Sequence, residues 1–194
     1  FTGTATRSAE DIAQAVDSIG GQIDAFTSKE YAGYYIKVLD EHLPLAVEIL
    51  ADILLRPALA PDDIEREKKV VLEEIKMVED TPDDLVHELF TQAYWEGHPL
   101  GRPILGSKAT VDGLTRRILE DYFRGVYTAR NLVIVAAGHL EHERVRDLVA
   151  AAFADVPPNG AAATDAAPPA RPPTRRRTPT GTRSTSSTRC SAGR

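Results

Sequence analysis

The sequence predicts an α+β fold, with an antiparallel sheet and helices packed on it. Two runs rich in Ile, Phe, Thr, Tyr and Val, at about 22–28 and 31–39, read as strands. The short turn Ser28-Lys29-Glu30 joins them, which is typical of a hairpin. Amphipathic helical patterns precede and follow the pair. Strands that pair locally, with helices between them and the rest of the chain, indicate the α+β class.

Helix signals flank this predicted hairpin. Ser8 is followed three residues later by Asp11, an arrangement typical of a helix start, and we expect a helix over 9–19. Gly20 and Gly21 end it. After the hairpin, an apolar stripe predicts a helix from Asp40 to about residue 55, which Pro57 stops.

The second half of the chain alternates helical patterns with one apolar run. Helices are predicted at about 61–79, at about 83–95, at 113–125 and at 141–154. Residues 98–103 are rich in Gly and Pro and predict an irregular loop. Residues 131–137 are almost wholly apolar, so we expect a buried strand there.

Composition divides the chain into a body and a tail. From residue 157 to 194 there is no Val, Ile, Leu, Met, Phe, Trp or Tyr, so this part offers nothing to bury in a core. We interpret residues 1–156 as a folded α+β domain. Residues 157–194 are either a disordered linker or an out-of-frame tail, and both interpretations stay open.

Charge and apolar patterning exclude several function classes. Residues 161–194 carry seven Arg and one Asp, and the whole chain has a net charge of −6, so the body carries −12. An acidic body argues against a nucleic-acid surface. No apolar run approaches the length of a membrane span. The chain begins with Phe1 and shows no signal peptide, so we expect it to be an internal part of a longer protein of unknown compartment.

Two glutamates stand out in the predicted helix over 61–79. On a helical wheel, Glu67 and Glu74 fall on one face because they are seven residues apart. Apolar positions flank them, whereas a separate arc facing solvent holds five other charged residues: Glu65, Arg66, Lys69, Glu73 and Lys76. A carboxylate in an apolar setting needs a cationic partner or a metal ion. Pairing with a Lys or Arg on a neighbouring helix and a metal or catalytic role therefore both remain open.

Several motifs, in order and at matching spacing, resemble a known family over about residues 1–156. The motifs are Thr2-Gly3-Thr4, Gly20-Gly21, Ala25-Phe26-Thr27-Ser28, Glu65-Arg66 through Glu73-Glu74, Glu79-Asp80-Thr81-Pro82, His98-Pro99-Leu100-Gly101 and the run 131–138. Together they look like the pitrilysin–insulinase–mitochondrial processing peptidase family of zinc peptidases, the inverzincins. The resemblance implies that residues 1–156 are a partial catalytic-type α+β domain, the first domain of such a metallopeptidase without its upstream metal-binding helix.

The resemblance also implies roles for the two glutamates. In the family, a His-x-x-Glu-His motif lies just before a Phe-x-Gly-Thr turn, here Phe1-Thr2-Gly3-Thr4. Glu74 then matches the third zinc ligand, and Glu67 matches a glutamate that supports the site from behind the ligands. The two imidazole ligands and the general base would precede Phe1. This chain alone would therefore be inactive.

The predicted strand that contains Ala25, Phe26 and Thr27 has two possible roles. In the family this strand borders the cleft and pairs with an extended substrate peptide, a form of β-addition. It is otherwise an ordinary core strand. The family usually has Asn before the alanine, and Asp24 stands there in this chain.

The resemblance implies a zinc-dependent metalloendopeptidase that hydrolyses peptide bonds with a zinc-activated water. The alternative is a non-catalytic peptide-binding or scaffold subunit of the same family. The expected partners are a peptide substrate and a second homologous domain or subunit. Two other histidine positions are not expected to hold metal: the sequence His139-Leu140-Glu141-His142 suits capping and exposure, and His98 suits a structural loop role.

Overall fold

A computed structural model describes residues 2–158 of the chain. Nearly all of the predicted tail, from residue 159 to residue 194, lies outside the described residues, and so does Phe1. The described part is rich in helices and contains a two-stranded antiparallel sheet, so the α+β prediction is confirmed.

Apart from the strand predicted at 131–137, which is absent, and an additional short helix at 108–112, the elements follow the predicted order. The strands are β1 (Gln22–Thr27) and β2 (Ala32–Lys37). The α-helices are α1 (Ala9–Asp17), α2 (Leu43–Leu55), α3 (Pro61–Asp80), α4 (Pro82–Tyr94), α5 (Lys108–Asp112), α6 (Arg116–Val126) and α7 (His142–Ala152). Short 3-10 turns cover Asp40–His42, Pro99–Gly101 and Ala129–Asn131. The predicted helix at 40–55 thus begins with a 3-10 turn, and the one at 113–125 begins at Arg116. No helix in this part of the chain combines the length and apolar character needed to cross a membrane.

The predicted start of α1 is confirmed in detail. The Ser8 hydroxyl accepts a hydrogen bond from the backbone N–H of Asp11 at 3.1 Å, and the Asp11 carboxylate accepts one from the backbone N–H of Ser8 at 2.9 Å. Two of the donors that a helix start leaves unpaired are thereby satisfied. The turn after α1 needs a glycine at position 20, where φ is +65°.

The core lies between α1, α2 and the inner face of the hairpin. Ile12 and Val16 of α1 pack with Ile49 and Ile53 of α2, and all four side chains are buried. Alternate residues of the hairpin point to the same side because strand side chains alternate between faces. These inner residues are Ile23, Tyr34 and Ile36, which pack against the buried cluster.

A second layer carries the glutamate helix. Helix α3 packs against α4 and α5. Ile64 is its buried residue, and Lys68, one turn on, donates a hydrogen bond to the backbone carbonyl of Leu114 at 3.2 Å. The packed face of α3 is therefore the side of Ile64 and Lys68.

The prediction of a buried strand at 131–137 is wrong for this structure. The segment forms no strand, and Val133 and Val135 are 88% and 82% exposed. An apolar run becomes a buried strand only when another strand pairs with its backbone and other elements cover its side chains. Within residues 2–158 the sheet consists of β1 and β2 alone. The run therefore has neither a strand to pair with its backbone nor elements that cover its side chains.

These exposed apolar side chains lead to a prediction about stability. We expect the isolated 194-residue chain to be marginally stable and prone to aggregate, because uncovered apolar surface gives little folding energy and favours association. Thermal unfolding followed by circular dichroism, together with light scattering, would measure both properties. A sharp, cooperative melt at high temperature without scattering would contradict this expectation.

Candidate functional site

The two glutamates singled out in the sequence lie on one face of α3, and that face is exposed. Glu67 and Glu74 are both exposed, which corrects the expectation that they sit in a buried apolar setting. The physical reason is that α3 packs through Ile64 and Lys68. The apolar residues on the far side of the glutamates, including Met77 at 69% exposure, face outward.

Neither carboxylate has a polar partner among the described residues. Other acidic side chains of α3 are paired: Glu65 with Lys68 at 3.0 Å and Glu73 with Lys76 at 2.5 Å. Glu67 and Glu74 take part in no such ion pair there. Pairing with a cation of a neighbouring helix, one of the two interpretations left open by the sequence, is thus not found in the described part.

The carboxylates fit zinc as donors but do not form a complete set. Glutamate oxygen is an established zinc ligand, and both side chains are accessible and unpaired. Seven residues of helix separate their backbones by about 10.5 Å along the axis. No group of three or more His, Cys, Asp or Glu residues that could hold a metal occurs within residues 2–158. Other residues would have to complete the site.

The predicted peptide-binding residues lie on β1, one edge of which pairs with no other strand among the described residues. Strand β2 covers its other edge, with Ala25 opposite Tyr34 and Phe26 opposite Gly33. At the hairpin end, the N–H of Ser28 donates to the carbonyl of Tyr31 at 2.8 Å. Hydrogen-bonded and non-bonded pairs alternate along an antiparallel ladder, so Phe26 is bonded to β2.

The backbone groups of Ala25 and Thr27 consequently point away from β2, toward the free edge. Both residues are exposed, as is Phe26. This is the arrangement that an added peptide strand requires, since main-chain groups would provide its hydrogen bonds.

Phe26 contributes its side chain to this edge, because its backbone groups are bonded to β2. Its ring lies across Gly33, where a Cβ atom would come within 2.4 Å of the ring. The ring also meets Tyr31 edge to face, with 5.7 Å between the ring centres. Position 33 must therefore be glycine for the ring to lie in this way, and an exposed aromatic pair stands beside the edge.

Asp24, the residue that departs from the family pattern, also lies at this edge. Its Oδ1 accepts a hydrogen bond from the N–H of Ala25 at 2.8 Å, and its Oδ2 accepts one from the Tyr35 hydroxyl at 3.2 Å.

A polar contact ties β1 to the helical layer. Lys29, two residues beyond β1, donates to the carbonyl of Arg102 at 2.6 Å and lies 3.9 Å from the Glu88 carboxylate of α4. Because α4 packs against α3, the candidate peptide edge and the candidate metal ligands belong to connected elements. Within residues 2–158, no side-chain hydrogen bond or ion pair joins β1 directly to Glu67 or Glu74.

The sequence reasoning missed one polar centre, built around Asp52 and called here the Asp52 cluster. The side chain of Asp52 is 1% exposed. It accepts hydrogen bonds from Thr4 (2.6 Å), Thr6 (2.8 Å), Arg7 (3.1 Å) and Arg56 (2.8 Å). A lone acidic residue in the apolar run from Ile49 to Leu55 was the signal in the sequence that could have found it.

The Asp52 cluster fixes the turn before α1 against the end of α2. Thr4 is buried, and its hydroxyl accepts from the N–H of Arg7 at 2.9 Å while donating to Asp52. Burial raises the pKa of Asp52, but the hydrogen bonds from Thr4, Arg56, Thr6 and Arg7 outweigh it and lower the pKa to about 2. The cluster is therefore a structural anchor that holds a charged carboxylate.

The exposure expected of His139 and the structural role expected of His98 agree with the structure, whereas the capping expected near His142 does not, because Glu141 at the start of α7 makes no capping hydrogen bond with its side chain. The side chain of His139 is 95% exposed and its Nδ1 lies 2.7 Å from the Asp40 carboxylate. His142 begins α7. His98 has a structural role, since its Nδ1 accepts a hydrogen bond from the N–H of Leu100 at 3.2 Å and its ring packs against Trp95.

Comparison with protein families gives two matches. Residues 1–108 match the model described as insulinase (peptidase family M16), and residues 113–188 match the model described as the peptidase M16 inactive domain.

Relatives with curated names agree with these matches. The chain is 45% identical over 148 residues to an uncharacterized zinc protease of Bacillus subtilis, covering 76% of this chain and 36% of that protein. It is 43% identical over 178 residues to an uncharacterized zinc protease of Streptomyces coelicolor, covering 92% of this chain and 38% of that protein. The chain thus spans well under half the length of these relatives.

Solved structures share the fold. A protease from Helicobacter pylori superimposes with a TM-score of 0.78 at 21% identity, over 83% of this chain and 39% of that one. A peptidase M16 inactive domain from Pseudomonas fluorescens superimposes with a TM-score of 0.80 at 21% identity, over 88% of this chain and 42% of that one. From the family models and the relatives together, the chain belongs to the insulinase family of peptidases, family M16.

Proposed function

We propose that this chain is part of a zinc-dependent metalloendopeptidase and that Glu74 is one of its zinc ligands. The observation that carries the proposal is the pair of exposed carboxylates on α3, Glu67 and Glu74, which have no polar partner among the described residues. Their chemistry suits a metal, and their spacing suits one ligand and one supporting residue. The names of the relatives, zinc proteases, support the same metal.

In this proposal the remaining ligands come from a His-x-x-Glu-His motif that precedes Phe1 in the parent protein. Bound zinc would supply an activated water for attack on the peptide carbonyl. Glu74 would bind the ion through its carboxylate, and Glu67 would orient the groups around it. The edge of β1 would hold the substrate in an extended form through the backbone groups of Ala25 and Thr27, with the Phe26 side chain beside it.

The parent protein, with the residues that precede Phe1, provides the test. Its zinc content would be measured by mass spectrometry, and cleavage of fluorogenic peptides would be followed before and after removal of metal with a chelator. We expect one zinc per chain, loss of cleavage on chelation and recovery when zinc is returned. A parent that cleaves peptides equally well without metal would overturn the proposal.

A second candidate is a non-catalytic peptide-binding or scaffold subunit of the same family. The match of residues 113–188 to the model described as the inactive domain raises this candidate, but the segment with Glu67 and Glu74 lies in the match to the insulinase model. It predicts that the parent binds extended peptides at the β1 edge but holds no zinc and cleaves nothing. In either case the expected partner is a second homologous domain or subunit.

For the isolated 194-residue chain, we expect weak zinc binding and no hydrolysis. Its described residues contain no complete metal-binding set, and a single carboxylate ligand cannot hold and activate zinc. Titration calorimetry with zinc and a fluorogenic peptide assay would check both expectations. Peptidase activity that a chelator abolishes in the pure chain would contradict them.

A further inference from the structure

We propose that Asp24 sets the charge preference for peptides at the free edge of β1. Its carboxylate accepts the hydrogen bond from the backbone N–H of Ala25, to which a bound peptide would otherwise bond. We infer that peptides with a cationic side chain near that point bind best. This inference rests on the proposed function, in which β1 pairs with an extended peptide.

The backbone N–H of Ala25 points away from β2. The Ser28 to Tyr31 hydrogen bond sets the alternation of the ladder, and Ala25 with Tyr34 is then a non-bonded pair. The N–H of Ala25 therefore faces the open edge, where a peptide carbonyl would accept it.

This N–H already donates a hydrogen bond within the protein. Asp24 Oδ1 accepts it at 2.8 Å, and the Tyr35 hydroxyl, which donates to Oδ2 at 3.2 Å, holds the carboxylate in place. A hydrogen bond to a charged acceptor is roughly twice as strong as one between neutral groups. A neutral peptide carbonyl thus competes poorly with Asp24 for the N–H of Ala25.

The negative charge of Asp24 affects which peptide side chains are favoured beside it. If the peptide displaces the carboxylate, that carboxylate remains next to the peptide's carbonyl oxygen, and two electron-rich oxygens side by side are unfavourable. A lysine or arginine side chain of the peptide at this point gives the carboxylate a new partner, whereas an acidic side chain adds repulsion. Phe26 and Tyr31 leave an apolar surface for the neighbouring peptide side chains.

Peptide binding to the metal-free parent tests this without depending on turnover. The probes are labelled ten-residue peptides of Ala, Val and Thr in which one residue is replaced by Lys, Gln or Glu, at each position in turn. At low salt, we expect one position at which Lys is favoured over Glu by about fivefold in dissociation constant, since exposed charge pairs contribute modestly.

The variant Asp24→Asn should remove this preference and bind the Gln peptide about threefold more tightly, because a neutral amide competes less for the N–H of Ala25. The control is Asp17→Asn, which makes the same charge change at an exposed site, the last residue of α1. An unchanged preference in Asp24→Asn, or an equal loss in Asp17→Asn, would overturn the role of Asp24.

Peptides methylated at single backbone nitrogens separate this inference from the one on which it rests. If the peptide adds to the edge of β1, methylation should weaken binding at every second backbone nitrogen, whatever residue stands at position 24. If no methyl group weakens binding, the peptide edge itself is refuted, and the inference about Asp24 falls with it. If methyl groups weaken binding while Asp24→Asn leaves the charge preference intact, only the inference about Asp24 is refuted.

Discussion

Replacing Glu74 by Gln in the parent protein should abolish both zinc binding and peptide cleavage. Gln keeps the size of the side chain but removes the negative charge that helps hold the ion, and a catalytic zinc site has only three protein ligands to lose. We expect zinc affinity and kcat to fall by at least about 100-fold, a larger loss than is typical for supporting residues. Zinc content and peptide hydrolysis would be measured on the same preparations.

Two further substitutions on α3 make this test specific. Glu67→Gln should act through the orientation of the ligands, with a loss of about 10–100-fold. Glu73→Gln is the control, because Glu73 lies next to Glu74 in sequence but pairs with Lys76 on another face of the helix. Loss of zinc in Glu73→Gln rather than in Glu74→Gln would show that the register of the site along α3 is wrong by one residue.

The substitution Asp52→Asn should destabilise the protein by about 3 kcal/mol at pH 7. It removes the buried charge to which Arg7, Arg56 and two threonine hydroxyls are bonded, and breaking a buried ion pair from one side costs about 3–5 kcal/mol. We expect the lower end because the Arg56 side chain is 47% exposed. Urea unfolding, followed by hydrogen exchange in peptides from α1 and α2, would measure the change.

The matched control for this cluster is Glu48→Gln. Glu48 also pairs with Arg7, at 2.5 Å, but its side chain is 59% exposed, and such surface pairs contribute about 1 kcal/mol or less. A loss of stability in Glu48→Gln as large as that in Asp52→Asn would show that the cost comes from Arg7 rather than from the buried carboxylate.

The effect of Asp52→Asn should also depend on pH. The pKa of Asp52 is lowered from 3.8 to about 2 in the folded protein. A carboxylate with a lowered pKa stabilises the fold fully above its unfolded-state pKa, and this stabilisation is lost as the pH falls through the folded-state value. The difference between the wild-type protein and Asp52→Asn should therefore shrink between about pH 4 and about pH 2. A difference that stays constant over this range would contradict the assigned pKa.

Local patterns in the sequence were enough to predict the elements that form from neighbouring residues. The capped start of α1, the β1–β2 hairpin and the helix of Glu67 and Glu74 all depend on interactions within a few residues, which the sequence displays directly. Ordered motifs over residues 1–156 were also enough to indicate the family, which the comparisons confirm.

Tertiary structure decided the features that depend on what packs against an element. The wheel placed Glu67 and Glu74 among apolar residues, but which side of α3 is buried depends on α4 and α5, and the structure leaves the glutamates exposed. The apolar run at 131–137 predicted a buried strand, yet a strand needs partners, and the described residues provide none. The Asp52 cluster joins residues more than 40 positions apart in sequence, so only the folded chain brings its charges together.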